Sequence, residues 1–342
     1  MRLTTCLRIL VVISLLMGLG GCASTIGNRI IAAPNQNGHG FSIDGEAGDF
    51  WAMHLERHYF SQQLVLDSAH DGSQLRSYRL PAGDYPHRYE LEHVSSRRFR
   101  LDFGVYWAGG PHQPARGSVL FVHGWQGDYR QHFFHALTLA GDGWDVVLTD
   151  LRGHGRSAGD YISFGVHESV ELRQLIDHLV ELPDFNPPLV LMGSSMGASV
   201  ALMAAAGNSP VEGIVAIAPY ADFMSVFPDG LQRMAPRGTR AFLSPGRVER
   251  ALAHAQAKGR ADLNQAAPLA LADQIDMPVL LIHGQRDRFV PPDQSLLLAE
   301  QLPQAELRQL KDLGHIALIM DRDAVLESAR PWLRSHFMAT PD

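Results

Sequence analysis

From Gly117 onward, short continuous apolar runs alternate with stretches of helical length. The runs are SVLFVHG, WDVVLTD, PLVLMGS, GIVAIAP and PVLLIHG, and helices fit the stretches near 131–141, 167–182, 198–206 and 295–302. Strands that are apolar at every position bury both faces, so the expected fold class is α/β, with a mostly parallel sheet and helices on both sides. The region before it follows another rule. QLVLD, QLRSYRL and RFRLDFGVYW alternate in polarity between Gly, Pro and Asp turn residues, which predicts antiparallel strands in an N-terminal extension over 49–116, with a short helix over 49–60. Between 220 and 270 the strand and helix rhythm stops. Pro228, Pro236 and Pro245 punctuate Ala-rich helical pieces there, an insertion of the kind that covers a site as a lid. The main folding unit is therefore expected over 117–338, with no internal repeat.

Composition narrows the function. The chain has 342 residues, 46% hydrophobic and 19% charged, which is globular and excludes a disordered or coiled-coil protein. Its net charge is −7 with no Lys/Arg stripe, so nucleic acid is not an expected partner. Both cysteines, Cys6 and Cys22, fall at the start. Arg2 and Arg8 precede an apolar run from Ile9 to Leu19, and Gly20-Gly21-Cys22 follows. Charged, then apolar, then small residues mark a secretory signal over 1–21. The run is too short for a span of about 20 residues. LGGC resembles the lipobox of bacterial lipoproteins. That resemblance implies lipid attachment at Cys22, a membrane as partner through that anchor, and a place in the cell envelope. Ala23 and Ser24 in place of an aspartate favour the outer membrane, facing the periplasm. Residues 22–48, rich in Asn, Gly and small residues, read as a tether.

The pattern G-x-S-x-G occurs twice, around Ser157 and around Ser195. A nucleophile elbow needs a strand directly before it and a helix directly after it. PLVLM enters GSSMG and ASVALMAAAG leaves it, so Ser195 meets both conditions. TDLRGH and DYISFG flank Ser157 without strand or helix, which makes Ser157 a loop serine. Ser194 would point away from the tip. A serine hydroxyl also needs a base, and the base an acid to fix its tautomer. Downstream histidines are His254 in the lid, His283 at a strand end, His315 after Gly314, and His336 in a polar terminal helix. His315, in KDLGHIALIM at the end of the last strand-like segment, is the expected base. Asp287, on the loop after PVLLIHG, is the expected acid; Asp222, one strand earlier, is the rival, and its other reading is a helix cap.

Together VLFVHGWQG, DLRGHGRS, GSSMGASVAL, LLIHGQRDRFVP and GHIALIM resemble α/β-hydrolases with a serine nucleophile, most of all the group with monoacylglycerol lipases, lysophospholipases and serine aminopeptidase-like enzymes. The resemblance runs from about Gly117 to Trp332. It implies an oxyanion hole made by the backbone amides of Met196 and Trp125, with His123-Gly124-Trp125 as a single-glycine variant. His123 and His154 are expected to shape loops. A lipid-derived or other small ester is the implied substrate, an amide the alternative, and a non-catalytic envelope binding protein the third reading. Metal is not expected. His54 and His58 lack the glutamate of a zinc-protease helix, and His132 and His135 lack a third ligand nearby. No P-loop or dinucleotide fingerprint implies a cofactor.

Overall fold

A computed structural model of the chain describes residues 3–5, 23–36, 59–95, 98–105, 113–234 and 243–338. Cys22, most of the expected signal segment, and nearly all of the helix expected over 49–60 lie outside them. No helix among the described residues is long and apolar enough to cross a membrane.

Antiparallel strands come first: β1 (Leu3–Thr5), β2 (Gln62–Asp67), β3 (Gln74–Leu80), β4 (His87–Ser95) and β5 (Arg98–Val105). Then follow β6 (Ser118–Val122), β7 (Asp145–Asp150), β8 (Leu189–Ser194), β9 (Gly213–Ile217), β10 (Val279–Gly284) and β11 (Ala305–Leu310). Eight of these form one sheet in the order β11-β10-β9-β8-β6-β7-β3-β2. The six from β6 to β11 pair in parallel, while β3 joins β7, and β2 joins β3, antiparallel. The N-terminal strands thus divide. β2 and β3 extend the edge of the main sheet, whereas β4 and β5 pair with β1 in a separate small sheet.

Every residue of β6 to β10 is buried. Alternate positions serve two cores, with Leu191, Ile214 and Leu281 on one face and Val190, Val215 and Leu280 on the other. Each such side chain contributes about 1.5–3 kcal/mol when fully buried. The helices covering the faces include α2 (Phe133–Gly141), α3 (Val166–Val180) and α4 (Met196–Ala205), preceded in the chain by α1 (Ala23–Ile31). α5 (Phe223–Met234) and α6 (Pro245–Gly259) form the insertion between β9 and β10; α7 (Asp293–Gln301), α8 (His315–Met320) and α9 (Arg322–Phe337) complete the chain.

One expectation needs correction. The stretch read as a tether is helical over Ala23–Ile31, and Ile30 and Ile31 are buried. It packs on α6 so closely that a Cβ at Gly27 would sit 2.3 Å from the Ala251 carbonyl oxygen, and His254 meets Asn28 Oδ1 at 3.0 Å. Its apolar positions have a face to bury only once the insertion is folded beside them. HIALIM, which follows the Gly314 turn, is a helix that starts at His315. The last strand is AELRQL, a charged, half-exposed edge strand of the kind that discourages pairing with other chains.

Candidate active site

Ser195 stands alone between the last residue of β8 and the first of α4, with φ +52° and ψ −121°. A non-glycine residue there is strained by about 1–3 kcal/mol and persists only when its surroundings dictate it. The surroundings here are tight. A Cβ at Gly193 would lie 2.4 Å from the Gly197 carbonyl oxygen, and one at Gly197 would lie 2.3 Å from the carbonyl oxygens of Val122 and His123. Both motif glycines are therefore required for strand and helix to meet at this angle. The Ser195 N–H donates to the Ile217 carbonyl at 2.7 Å, fixing the tip against β9.

Three side chains from three loops meet at that tip. The Ser195 hydroxyl lies 2.8 Å from His315 Nε2, and His315 Nδ1 lies 2.6 Å from Asp287 Oδ2. The other carboxylate oxygen, Asp287 Oδ1, accepts the N–H groups of Phe289 (2.9 Å) and Val290 (3.0 Å). With its carboxylate held on both sides, Asp287 requires an Nδ1–H on His315, which leaves Nε2 free to accept from serine. Burial pushes the Asp287 carboxyl up, but His315 and His283 beside it outweigh that and hold it down at about 2. Asp287 is thus ionised throughout the neutral range.

His283 was set aside as a base, and the structure keeps it from Ser195. It is wholly buried, with Nδ1 2.6 Å from the Ser295 hydroxyl and Nε2 3.0 Å from the Val290 carbonyl, and Nε2 also lies 3.4 Å from Asp287 Oδ2. Its place beside the acid was not foreseen; its spacing of four from Asp287 in HGQRD was the available signal.

The amides of Trp125 and Met196 flank the serine. A Cβ at Gly124 would be 3.3 Å from Ser195 Cβ, so the loop carrying Trp125 lies against the elbow. Neither N–H is paired with a protein acceptor among the described residues, whereas the neighbouring Gly124 and Gln126 N–H groups donate to Gln131 Oε1 (3.0 Å) and His154 Nε2 (3.2 Å). A peptide unit is planar, so the Gly124 carbonyl fixes the direction of the Trp125 N–H. That carbonyl accepts from His123 Nδ1–H at 2.8 Å and from the Gly127 N–H at 2.9 Å. His123 and His154 are buried, and burial holds both below their usual range, which keeps them as neutral loop-shaping groups.

The Trp125 ring packs edge-on against Phe164 (5.6 Å) and Phe227 (5.8 Å), and Phe164 stacks on Phe223 at 4.2 Å. Two of these rings, Phe223 and Phe227, come from α5 in the insertion, so the lid supplies part of the aromatic cluster against Trp125. Their identity as neighbours of Trp125 was not visible in the sequence.

The remaining candidates separate cleanly. Ser157 is buried, donates to the Asp150 carbonyl at 2.6 Å and accepts the Arg76 N–H at 2.8 Å. Ser194 points the other way from Ser195 and meets Gln131 Nε2 (3.1 Å) and His132 Nε2 (3.0 Å). Asp222 accepts the Ser225 N–H at the start of α5. His254 pairs with α1, and His336 stays on α9. His132 and His135 are buried and held neutral by burial, His135 at about 3. Among the described residues no group of three His, Cys, Asp or Glu could hold a metal; His54 and His58 lie outside them.

A parallel sheet whose central strand ends in a strained serine elbow, with acid and histidine on later loops, defines the class. The chain belongs to the alpha/beta hydrolase family, which it matches over residues 119–329. Among curated proteins it is similar to the Mycolicibacterium smegmatis monoacylglycerol lipase (25% identical over 280 residues; 71% of this chain, 99% of the lipase). It is also similar to the pimeloyl-[acyl-carrier protein] methyl ester esterase of Xanthomonas oryzae (28% over 262 residues; 66% and 96%). It covers 51% of the uncharacterized protein YqkD of Bacillus subtilis, at 28% identity over 46% of this chain. Among solved structures, the Pyrococcus furiosus esterase Pf2001 shares the fold, with a TM-score of 0.60, 19% identity, and coverage of 87% of this chain and 97% of that one.

Proposed function

We propose that the chain hydrolyses carboxylic esters through an acyl-enzyme on Ser195, with a lipid-derived or other hydrophobic acyl group as the favoured substrate. The chain is an ester-acting hydrolase of its family; the residues and substrate are the further step. The observation that carries it is the unbroken line from Ser195 Oγ through His315 to Asp287, starting at a strained elbow.

His315 Nε2 takes the serine proton as Oγ attacks the ester carbonyl. The tetrahedral oxyanion is held by the Met196 and Trp125 amides, each such donor lowering the barrier by about 3–4 kcal/mol. When the C–O bond breaks, the leaving alcohol takes its proton from His315 Nε2–H. Water then attacks the acyl-enzyme, gives a proton to His315, and the acid leaves as Ser195 recovers its hydrogen. Asp287 stays ionised and stabilises the imidazolium at each step. The named activities of the lipase and the methyl ester esterase support an ester carbonyl. The aromatic wall of Trp125, Phe164 and Phe227 supports an apolar acyl group.

The test is a panel of p-nitrophenyl esters of rising chain length beside aminoacyl p-nitroanilides. Esters are expected to turn over faster, with kcat/KM rising with chain length. Amide rates that match ester rates would shift the reading to an amidase, and absence of any burst in a folded sample would leave a binding protein.

The lipid anchor at Cys22, the extension over 49–116 as an edge to the catalytic unit at 117–338, and the envelope location complete this reading. The anchor rests on the charged, apolar and small residues of the first 22 positions alone. In bacterial cells, Cys22→Ser is expected to move the chain out of the detergent-soluble membrane fraction and end incorporation of labelled fatty acid. Retention of the label would sink the anchor.

A further inference from the structure

The geometry points to Gln131 as a positioning residue that sets the distance between the two oxyanion amides, a role that rests on the esterase reading above. Gln131 lies in the 3₁₀ turn Tyr129–His132, which is started by Asp128: its carboxylate accepts the Arg130 N–H at 2.9 Å. From there the Gln131 side chain reaches two different loops. Its Oε1 accepts the N–H of Gly124 at 3.0 Å, one residue before Trp125. Its Nε2–H donates to Ser194 Oγ at 3.1 Å, two residues before Met196. One planar amide thus spans from the loop that carries one oxyanion donor to the elbow that carries the other.

The far end of the clasp is anchored in turn. Ser194 Oγ accepts from Gln131 and also lies within hydrogen-bond distance, 3.0 Å, of His132 Nε2. His132 is itself buried, which fixes that contact in place. The near end has been given room. A Cβ at Gly127 would lie 2.2 Å from Gln131 Oε1, so a side chain at 127 would expel the clasp. The same glycine closes the loop through its N–H on the Gly124 carbonyl. The two loops already touch, since a Cβ at Gly124 would be 3.1 Å from the Ser194 carbonyl oxygen. What contact alone leaves free is sliding of one loop along the other. A side chain bonded to both removes that freedom. Among the described residues neither the Gln131 nor the Ser194 side chain hydrogen-bonds Ser195 Oγ, His315 or Asp287, so the clasp acts through the loops that carry the amides.

Oxyanion donors act on the transition state and little on the bound ester, and a displacement of about 1 Å can cost about 100-fold in rate. Gln131→Met keeps the length of the side chain and removes both bonds; Ser194→Ala removes only the far anchor. Each is expected to lower kcat on a p-nitrophenyl ester by about 10- to 100-fold with KM within about twofold. An alkyl boronic acid, which forms a tetrahedral adduct with the serine, is expected to bind more weakly by the same factor. Fluorophosphonate labelling carried to completion should remain stoichiometric. The double variant should lose no more than the worse single one, because both act through one clasp.

Unchanged kcat in Gln131→Met would overturn the inference. So would losses that multiply in the double variant, or a fall in kcat that only tracks a fall in labelled protein. Ser194→Ala keeps the test decisive if Gln131→Met does not fold. If the parent chain itself resists the fluorophosphonate, the esterase reading fails instead, and the two failures are told apart by that control.

Discussion

Ser195→Ala is expected to end fluorophosphonate labelling and to lower kcat/KM on p-nitrophenyl esters by about 10⁵- to 10⁶-fold, the scale seen when an activated serine is removed. The reason is positional. Of the three serines in or beside a G-x-S-x-G pattern, only Ser195 bonds to a histidine that is itself held by a buried carboxylate. Ser194 is bonded to Gln131 and His132 behind the elbow. Ser157 is closed in by the Asp150 carbonyl and the Arg76 N–H. Ser157→Ala should therefore label normally but lose about 1–3 kcal/mol of stability, since it strips a buried N–H of its acceptor. Labelling that survives Ser195→Ala and disappears in Ser157→Ala would overturn the assignment. Denaturant unfolding alongside the labelling separates lost chemistry from lost fold.

Asp287→Asn is expected to lower kcat by about 10⁴-fold with little change in KM. The asparagine carbonyl would be kept by the Phe289 and Val290 N–H groups that now bond Asp287 Oδ1. Its amide nitrogen would then face His315 Nδ1 and donate to it. That selects the tautomer with hydrogen on Nε2, which cannot accept the serine proton. Asp222→Asn should leave turnover within about twofold, because the Asp222 carboxylate accepts the Ser225 N–H at the start of α5, a cap that asparagine also supplies. If Asp222→Asn were the damaging change, the acid role would pass to it.

How much of this was legible depended on whether a residue's role was local. The parallel strands were, because strands buried at every position, as β6 to β10 are, show as short runs dominated by apolar residues. The distinction between Ser195 and Ser157 was also local, since an elbow is defined by the strand before it and the helix after it. β11 has no continuous apolar run because an edge strand may carry Glu306, Arg308 and Gln309. α1 escaped because three isoleucines among polar residues look like a linker until α6 is there to receive them. His283 was visible as a histidine but not as a neighbour of Asp287.

The sequence by itself determined the class of fold and set Ser195 apart from Ser157, because a strand, a turn and a helix that follow one another are made of residues adjacent in the chain. Only the tertiary structure decided which carboxylate reaches His315, which rings pack against Trp125, and which side chain ties Gly124 to Ser194. Those are contacts between loops at the ends of different strands. Their distances are set by the stacking of the sheet and its helices, so no local pattern of residues encodes them.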